Sequence, residues 1–473
     1  MQVNFSTTTD SFVIDNVEPG DVFKVIANRI AQLQAPDTVT INTPIGNARF
    51  QLIPGGGAFF VREEYNDISI PDNETLGTVY LVMVNPEHNN YKFYKLEDCG
   101  GGQVLATYGR IGASSSEVFG ERTHYYPKHM YYIKLAEKLA KGYKDMSDVY
   151  LAEDAKDASE PSEKTTNSVD GNSPAVKLYN TLKAYSRHVI RESCISSNVT
   201  KSMVEKTREL LSELYAITDD VDKFNTQLLK ILEVSPRRVY KVSDLLAKGV
   251  SDFENIVNRE DSLLMAMEAV AGSASDKSHK AKIDGFDMLG VKVHYATEKQ
   301  REEVLKHLND TLRPKVRNIY RVIAKRQKER FNKYLEDNHI RKVKQLWHGS
   351  RNENWLSIVS NGLMLRPNAV ITGKMFGDGI YFAPSPMKSW GYTSSYGSYW
   401  ARGTSDTAFM GLYACAIGTP LNVTCAHRYD QTYLKSIGKN CVHAHAGTQL
   451  YNDEIVFYDE AAILLNYIVE FDA

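Results

Sequence analysis

The chain has 473 residues, too many for one ordinary hydrophobic core, and its length predicts three or four domains. Its composition, 42% hydrophobic and 24% charged, is that of a globular protein and excludes a disordered or fibrous one. A formal net charge of −2 excludes a global attraction to nucleic acid, so any contact with DNA requires a local basic patch.

The cysteines and the chain's polarity indicate a compartment. Five cysteines, an odd number without a CxxC pair, are typical of reduced thiols inside a cell. No apolar run approaches the roughly 20 residues of a membrane span, and the first nine residues lack the pattern of a secretory signal. We expect no membrane partner and an intracellular location: the nucleus in a eukaryote, the cytoplasm or nucleoid if the source is bacterial or viral.

Residues 1–70 are predicted to form a small α/β module. Phe23, Ile26 and Ile30 recur on one helical face, and three strand-like segments follow them. The triple glycine at 55–57 is not followed by a lysine or a helix start, so it indicates a flexible turn rather than a phosphate-binding loop. No function follows for this module.

Residues 75–148 change to a strand-rich pattern. Three predicted strands lead into Tyr108-Gly109-Arg110-Ile111, and an amphipathic helix is expected over 129–142. This order resembles the WGR domain, with Tyr108 at the position of the tryptophan. In that family the domain contacts DNA ends, and the motif arginine lies near the nucleic acid.

The resemblance implies DNA ends or breaks as a partner. Arg110 is expected to form a phosphate-facing patch together with Lys128, Lys134 and Lys138. Acidic residues in the segment roughly match the basic ones, so a purely structural or protein-binding role stays as an alternative.

Residues 152–174 are acidic and polar and predict a linker, whereas 175–272 carry apolar residues at helical spacing. Leu210, Leu211 and Leu214 mark one such helix. Position and pattern resemble the all-α regulatory domain that, in DNA-dependent poly(ADP-ribose) polymerases, restrains access to the NAD site. A generic helical spacer is the alternative.

Three motifs follow in order within 281–473. They are Leu346-Trp347-His348-Gly349-Ser350-Arg351, the glycine-punctuated run 373–383 that contains Tyr381, and Tyr451-Asn452-Asp453-Glu454-Ile455-Val456. This His, Tyr, Glu series resembles the catalytic domain of the poly(ADP-ribose) polymerases. It implies a mixed α/β ADP-ribosyltransferase domain with split antiparallel sheets, and hence an α+β multidomain chain.

The implied reaction cleaves the bond between nicotinamide and ribose in NAD, which is the substrate. Positive charge develops on the ribose, so the site needs a carboxylate, a pocket for the nicotinamide amide and a flat wall. By resemblance, the NAD-binding residues are His348, Gly349, Ser350, Tyr381, Lys388, Ser389 and Tyr392. His348 and Ser350 are expected at the adenine-side ribose, the Gly349 backbone at the carboxamide, and the two tyrosines at the nicotinamide ring.

Glu454 is the predicted catalytic acid, acting with His348 and Tyr381. The family often has its glutamate directly after Tyr-Asn, whereas Asp453 intervenes here, so both acids are candidates. In the family this triad goes with chain elongation, which favours a polymerase that modifies proteins, including itself. A mono-ADP-ribosyltransferase, a catalytically weak nucleic-acid-bound scaffold and a pseudo-enzyme that merely binds NAD are the alternatives.

Two positions depart from the family pattern. Lys374 stands where an aromatic residue is often found, and Met364 where an arginine often contacts adenosine, although Arg366 is near enough to substitute. These departures concern the affinity for NAD and the contacts with its adenine.

No metal is expected. His427, His443 and His445, with Cys425 and Cys441, lie between residues 418 and 447, but none of their spacings matches a finger-like ligand pair. A surface loop is the favoured interpretation of this segment.

Overall fold

The structure is a computed structural model that describes residues 1–69, 75–113, 119–151, 173–193, 199–272, 286, 289–365, 375–396, 405–447 and 450–473. The chain divides into two compact units. The first comprises Met1–Glu153 and Leu232–Leu245, and the second comprises Asp154–Ile231 and Leu246–Ala473. Most of the predicted linker, 152–172, lies outside the described residues.

The first unit begins with an antiparallel sheet in the order β2-β1-β3-β4-β5. Its strands are Val3–Ser6 (β1), Ser11–Ile14 (β2), Asp37–Thr43 (β3), Gly46–Gly55 (β4) and Ala58–Asn66 (β5), with the helix Val22–Ile30 (α1) between β2 and β3. Buried side chains alternate along the strands, as in Val39 and Ile41, and pack against Phe23 and Ile26 of α1. One face of the sheet therefore forms a core with the helix.

A second antiparallel sheet follows, in the order β10-β6-β7-β8-β9. Its elements are Val79–Asn85 (β6), Asn90–Gly100 (β7), Gln103–Arg110 (β8), Arg122–Pro127 (β9), Met130–Ala140 (α2), Lys144–Asp145 (β10) and Ser147–Tyr150 (α3). Met130 and Ile133 of α2 pack into the core of the first sheet, whereas Tyr131 packs into that of the second. The two sheets form one unit because they share this helix.

The segment Leu232–Leu245 belongs to the same unit and is held by specific hydrogen bonds. The Tyr91 hydroxyl donates to the Leu232 carbonyl (2.9 Å) and accepts from the Arg237 backbone N–H (2.6 Å). The Lys144 ammonium lies 2.6 Å from a Glu233 carboxylate oxygen. These contacts attach residues distant in sequence to the second sheet.

The second unit starts with a run of helices. Their bounds are Pro174–Ser193 (α4), Lys201–Tyr215 (α5), Val221–Val234 (α6) and Phe253–Gly272 (α7), the last turn of α6 being counted with the first unit. The Thr200 hydroxyl caps α5 by accepting from the Met203 N–H at 3.0 Å.

The remaining elements of the second unit form two sheets and shorter helices. In chain order they are Val291–Tyr295 (β11), Glu298–Lys306 (α8), Val316–Ala324 (β12), Lys325–Asp337 (α9), Val343–Gly349 (β13), Trp355–Asn361 (α10), Ile380–Phe382 (β14), Pro386–Trp390 (α11), Thr407–Ala416 (β15), Pro420–Val423 (β16), Gln431–Ser436 (α12), Cys441–Ala444 (β17), Glu454–Phe457 (β18) and Ile463–Asp472 (β19). The strand orders are β11-β12-β19-β15-β13 and β14-β18-β17-β16. Pairing is antiparallel except between β16 and β17, which are parallel.

Helices α4 and α7 share a hydrophobic core with these sheets, which includes Leu178 and Leu182 of α4 and Ala269 of α7 together with Leu346 and Phe382. Polar contacts add to it: the Ser186 hydroxyl donates to the Glu353 carbonyl at 2.8 Å. The expected mixture of helices and several antiparallel sheets is confirmed. Within the described ranges, none of the helices has the length and apolar character needed to cross a bilayer.

Candidate active site

The three sequence motifs lie on three strands that meet at the junction of the two sheets of the second unit. Trp347 of β13 and Ala383, directly after β14, exchange two backbone hydrogen bonds of 3.0 Å. Tyr381 in β14 faces Val456 in β18 across an antiparallel pair. This bridge and this register bring the His348, Tyr381 and Glu454 side chains to one place.

A cavity of about 420 Å³ lies at this junction. The expected site residues among its lining are His348, Gly349, Tyr381, Lys388, Ser389, Tyr392 and Glu454. Ser350 is not part of this lining, and its hydroxyl accepts a hydrogen bond from the Asn354 side-chain amide at 3.0 Å. Ser350 is therefore engaged in holding the loop after β13.

The His348 imidazole has a defined tautomer. Its Nδ1 lies 3.0 Å from the Tyr381 carbonyl oxygen, which only accepts, so Nδ1 carries the proton. Burial lowers the pKa of His348 to about 4, although the hydrogen bond to Tyr381 opposes this shift. At neutral pH the ring is thus uncharged, with an unprotonated Nε2 that can accept a hydrogen bond from a ribose hydroxyl.

Gly349 is required by close packing. A Cβ atom at this position would lie 1.8 Å from the Ser389 carbonyl oxygen, nearer than any real contact. The backbone at the end of β13 consequently approaches α11 directly, leaving the peptide groups of Gly349 at the cavity wall.

Tyr381 is fixed by its hydroxyl, which donates to the Gly377 carbonyl at 2.8 Å and accepts from the Phe376 N–H at 3.1 Å. Burial, and secondarily the nearby Glu454 carboxylate, raise the pKa of the Tyr381 phenol. The ring is a rigid neutral wall of the cavity. Tyr392, 58% exposed, lies at the cavity's mouth.

Glu454 forms an ion pair inside the cavity. One of its carboxylate oxygens lies 2.6 Å from the Lys388 ammonium, and the two side chains are only 12% and 15% exposed. Lys388 also donates to the Asn452 carbonyl at 3.2 Å. The lysine therefore positions the carboxylate against the cavity wall.

Asp453, the other candidate acid, points elsewhere. Its Oδ2 lies 2.8 Å from His443 Nε2, and its Oδ1 accepts the Ala446 backbone N–H at 2.8 Å. The Ala446 hydrogen bond is the main cause of the lowered pKa of Asp453. Of the two adjacent acids, Glu454 is the one that lines the cavity.

The cavity also has a wall that sequence patterns did not single out. Glu254, Asn258 and Asp261 line it from α7. Residues 254, 258 and 261 are spaced so that they lie on one face of a helix. This spacing is the feature of the sequence from which the wall could have been predicted. Two carboxylates thus belong to the lining of the cavity, and that of Asp261 accepts a hydrogen bond from the Tyr215 hydroxyl.

In the first unit, Arg110 is engaged by backbone carbonyls. Its guanidinium donates to the Asn89 carbonyl (2.6 Å) and to the Tyr240 carbonyl (2.7 Å). The arginine connects the second sheet to the segment Leu232–Leu245, which packs on it.

The three predicted DNA-binding lysines have largely covered side chains, none more than 16% exposed. Lys128 lies 3.6 Å from Asp98. Lys134 pairs with the buried Glu137 at 2.9 Å, and burial lowers the pKa of Lys138 to about 8. With Arg110 they do not form one open patch, and their contact with DNA stays a prediction.

Lys374, one of the two departures from the family pattern, and Arg366, the suggested substitute for an arginine at position 364, lie outside the described residues. Met364 itself lines the cavity.

Comparison with known proteins identifies the class of enzyme that the second unit resembles. The family model of the poly(ADP-ribose) polymerase catalytic domain matches residues 297–432. A putative poly(ADP-ribose) polymerase-like protein, 100L of Invertebrate iridescent virus 6, is 30% identical over 158 residues, which are 32% of this chain and 83% of the relative. Poly(ADP-ribose) polymerase of Drosophila melanogaster is 29% identical over 175 residues, and poly(ADP-ribose) polymerase 2 of Homo sapiens 47% identical over 76 residues.

These matches cover 33% and 16% of this chain, and only 17% and 12% of the fly and human relatives. The protein is an NAD ADP-ribosyltransferase. It belongs to the poly(ADP-ribose) polymerase family.

Proposed function

We propose that the chain is a poly(ADP-ribose) polymerase that binds NAD in the cavity of the second unit and extends polymer on protein acceptors, including itself. The observation that carries the proposal is the convergence of His348, Tyr381 and Glu454, from three separate strands, on one cavity of about 420 Å³.

Each side chain has a role that follows from its surroundings. The unprotonated Nε2 of His348 accepts a hydrogen bond from the adenine-side ribose. The Gly349 backbone binds the nicotinamide carboxamide, since its missing side chain permits close approach. The Tyr381 ring, with its hydroxyl anchored, stacks on the nicotinamide.

Glu454 is the catalytic residue of this proposal. Its carboxylate stabilises the positive charge that develops on the ribose and orients the hydroxyl of the acceptor. Lys388, 2.6 Å away, holds the carboxylate in place before substrate binds. Elongation is favoured over single-unit transfer because all three groups of the His, Tyr, Glu set are present.

The helices α4 to α7 are proposed to restrain NAD binding. Glu254 and Asp261 present carboxylates to the cavity, and the pyrophosphate of NAD is also negatively charged. Acidic side chains on this wall disfavour an anion beside them, so α7 in this position opposes binding of the dinucleotide. Movement of α7 would then raise the affinity for NAD.

The first unit is proposed to supply the signal for that movement by binding DNA ends or breaks through its WGR-like sheet. Besides Arg110, the edge strand β9 exposes Arg122, His124 and Tyr125, a combination of cation and aromatic rings that suits phosphates and unstacked bases. This role fits a protein that is located inside the cell, in the compartment that contains the DNA.

Nicotinamide release from NAD by the purified full chain tests the proposal. We expect turnover to rise at least about tenfold when blunt-ended or nicked duplex is added, with ladders of polymer on gels. A single-unit product would support mono-transfer instead. Absence of nicotinamide release with every DNA would refute the proposed activity.

The restraint by α7 has a separate test. The Glu254→Gln chain is expected to show a higher rate without DNA, because one repelling charge is removed from the cavity. The matched control is Glu209→Gln on α5, where the carboxylate is exposed and pairs with Lys206. An equal effect of both substitutions would contradict the proposed repulsion.

A further inference from the structure

His443, His445 and Asp453 form a cluster next to the catalytic cavity that the proposed activity does not use; we call it the His443 cluster. His443 belongs to β17, and His445 follows two residues later, where its N–H still pairs with the Val423 carbonyl at 2.9 Å. Residues two apart in an extended strand point the same way, so both imidazoles lie on one side. Asp453 immediately precedes β18, the strand paired with β17.

The ligand atoms of this cluster are close enough for one ion. A nitrogen of each imidazole and an oxygen of the carboxylate all lie within 4.8 Å of one another. His443 Nε2 is 2.8 Å and His445 Nδ1 3.5 Å from Asp453 Oδ2. Metal–ligand bonds of roughly 2.0–2.2 Å to nitrogen and oxygen therefore require only small side-chain movements. Imidazole and carboxylate are ligands that zinc and its neighbours prefer.

Hydrogen bonds around the cluster orient its ligands. His445 Nε2 lies 2.9 Å from the Asn422 amide oxygen, which only accepts, so Nε2 carries a proton. In the neutral ring Nδ1 then presents a lone pair toward Asp453. Two electron-rich atoms then face each other, and a cation between them removes the repulsion. Asp453 Oδ1 accepts from the Ala446 N–H. Second partners of this kind fix ligands at metal sites.

We propose that His443 Nε2, His445 Nδ1 and Asp453 bind a divalent transition-metal ion of the zinc type. The ion replaces the proton through which His443 Nε2 donates to Asp453, and the neutral ring then carries its proton on Nδ1. The three side chains are 21%, 39% and 35% exposed, so the ion has access from solvent and a water molecule completes its coordination. Because Asp453 adjoins Glu454, the ion fixes the segment that leads into β18, the strand that carries Glu454. This site differs from the expectation that the chain binds no metal. The sequence pattern that indicates it is His-x-His on a strand, whereas the expectation considered only the ligand spacings of zinc fingers.

Metal binding to the untagged full chain, first dialysed against a chelator, tests this site independently of NAD turnover. Calorimetric titration with Zn²⁺ is expected to give one saturable site. Visible absorption with Co²⁺ is expected to show the bands of a four- or five-coordinate ion. His443→Ala, His445→Ala and Asp453→Asn should each weaken Zn²⁺ binding at least about tenfold.

The matched control is His427→Ala, because His427 is an exposed histidine of the same region that packs on Tyr429 and lies outside the cluster. It should bind Zn²⁺ as the unaltered chain does. Asn422→Ala keeps all three ligands but frees the His445 tautomer, and should weaken binding to a smaller extent. Circular dichroism checks that each variant is folded.

The proposal is overturned if the unaltered chain shows no saturable Zn²⁺ binding, or if folded cluster variants bind as tightly as the His427→Ala control. Should a ligand variant fail to fold, the Asn422→Ala chain decides, since undiminished binding there would refute the hydrogen-bonded geometry. Loss of NAD turnover plays no part in these outcomes, so failure of the proposed activity is distinguished from failure of the metal site.

Discussion

Replacing Glu454 by glutamine tests the proposed chemistry most directly. Glutamine keeps the size of the side chain and removes its negative charge, while Lys388 retains its hydrogen bond to the Asn452 carbonyl. The fold should persist for this reason, although the 2.6 Å ion pair is lost. The change isolates the charge that stabilises the developing cation on the ribose.

The magnitude follows from the position of the carboxylate. Glu454 is 12% exposed, so water screens its charge poorly, and preorganised groups in such sites contribute about 3–4 kcal/mol to the transition state. A loss of that size lowers the rate about 10²- to 10³-fold. We expect kcat for nicotinamide release to fall by this factor while KM for NAD changes little, since the charge acts mainly in the transition state.

The matched control is Asp453→Asn, measured with chelator present to separate any effect of metal. Asparagine Oδ1 can still accept the Ala446 N–H, so turnover should stay within about threefold of the unaltered chain. If Glu454→Gln keeps more than a tenth of the activity, or if Asp453→Asn loses more than Glu454→Gln, the assignment of Glu454 is wrong.

Three further predictions concern the site and the first unit. Gly349→Ala should cost about 1–3 kcal/mol in urea unfolding and weaken NAD binding, because its Cβ would lie 1.8 Å from a carbonyl oxygen; Gly391→Ala, whose nearest contact is 3.4 Å, should change neither. His348 has a folded pKa of about 4, below its unfolded 6.5, so the stability it contributes is complete above pH 6.5 and falls by at most about 3 kcal/mol toward pH 4. The free energy of unfolding of the His348→Gln chain should lack this fall between pH 6.5 and pH 4. The prediction is wrong if the variant and the unaltered chain show the same dependence of unfolding free energy on pH. Glu137→Gln should destabilise the first unit by about 3–5 kcal/mol in thermal unfolding, since it leaves buried ammonium groups unpaired, whereas the exposed Glu303→Gln should have almost no effect.

The cavity residues that belong to the three sequence motifs could be predicted from the sequence. His348, Tyr381 and Glu454 were expected because the order of their motifs resembles that of a known family. The structure brings them together through the Trp347–Ala383 bridge, which no local pattern encodes. Their catalytic roles stay predictions. Ser350 was expected at the ribose, yet its hydroxyl is engaged by Asn354, a contact within the loop that depends on the path of the chain.

Tertiary contacts were harder to anticipate. Glu254 and Asp261 occupy one face of α7, but a polar helical face usually indicates solvent, and only packing in three dimensions turns it toward the cavity. Lys134 has the sequence signature of a surface cation, yet it lies buried beside Glu137. In both cases the residue type predicts the charge of the side chain. The burial and the partners of that side chain could not be predicted, because they depend on elements distant in sequence.

The Asp453–Glu454 pair illustrates how strand geometry separates two neighbouring acids. Glu454 pairs with Ala444 at the start of β18, and side chains on successive residues of a strand point to opposite sides. Glu454 consequently meets Lys388 in the cavity, while Asp453 meets His443. Asp453, the residue by which this motif departs from the family pattern, therefore adds a ligand to the His443 cluster. It does so without displacing the Glu454 carboxylate from the cavity.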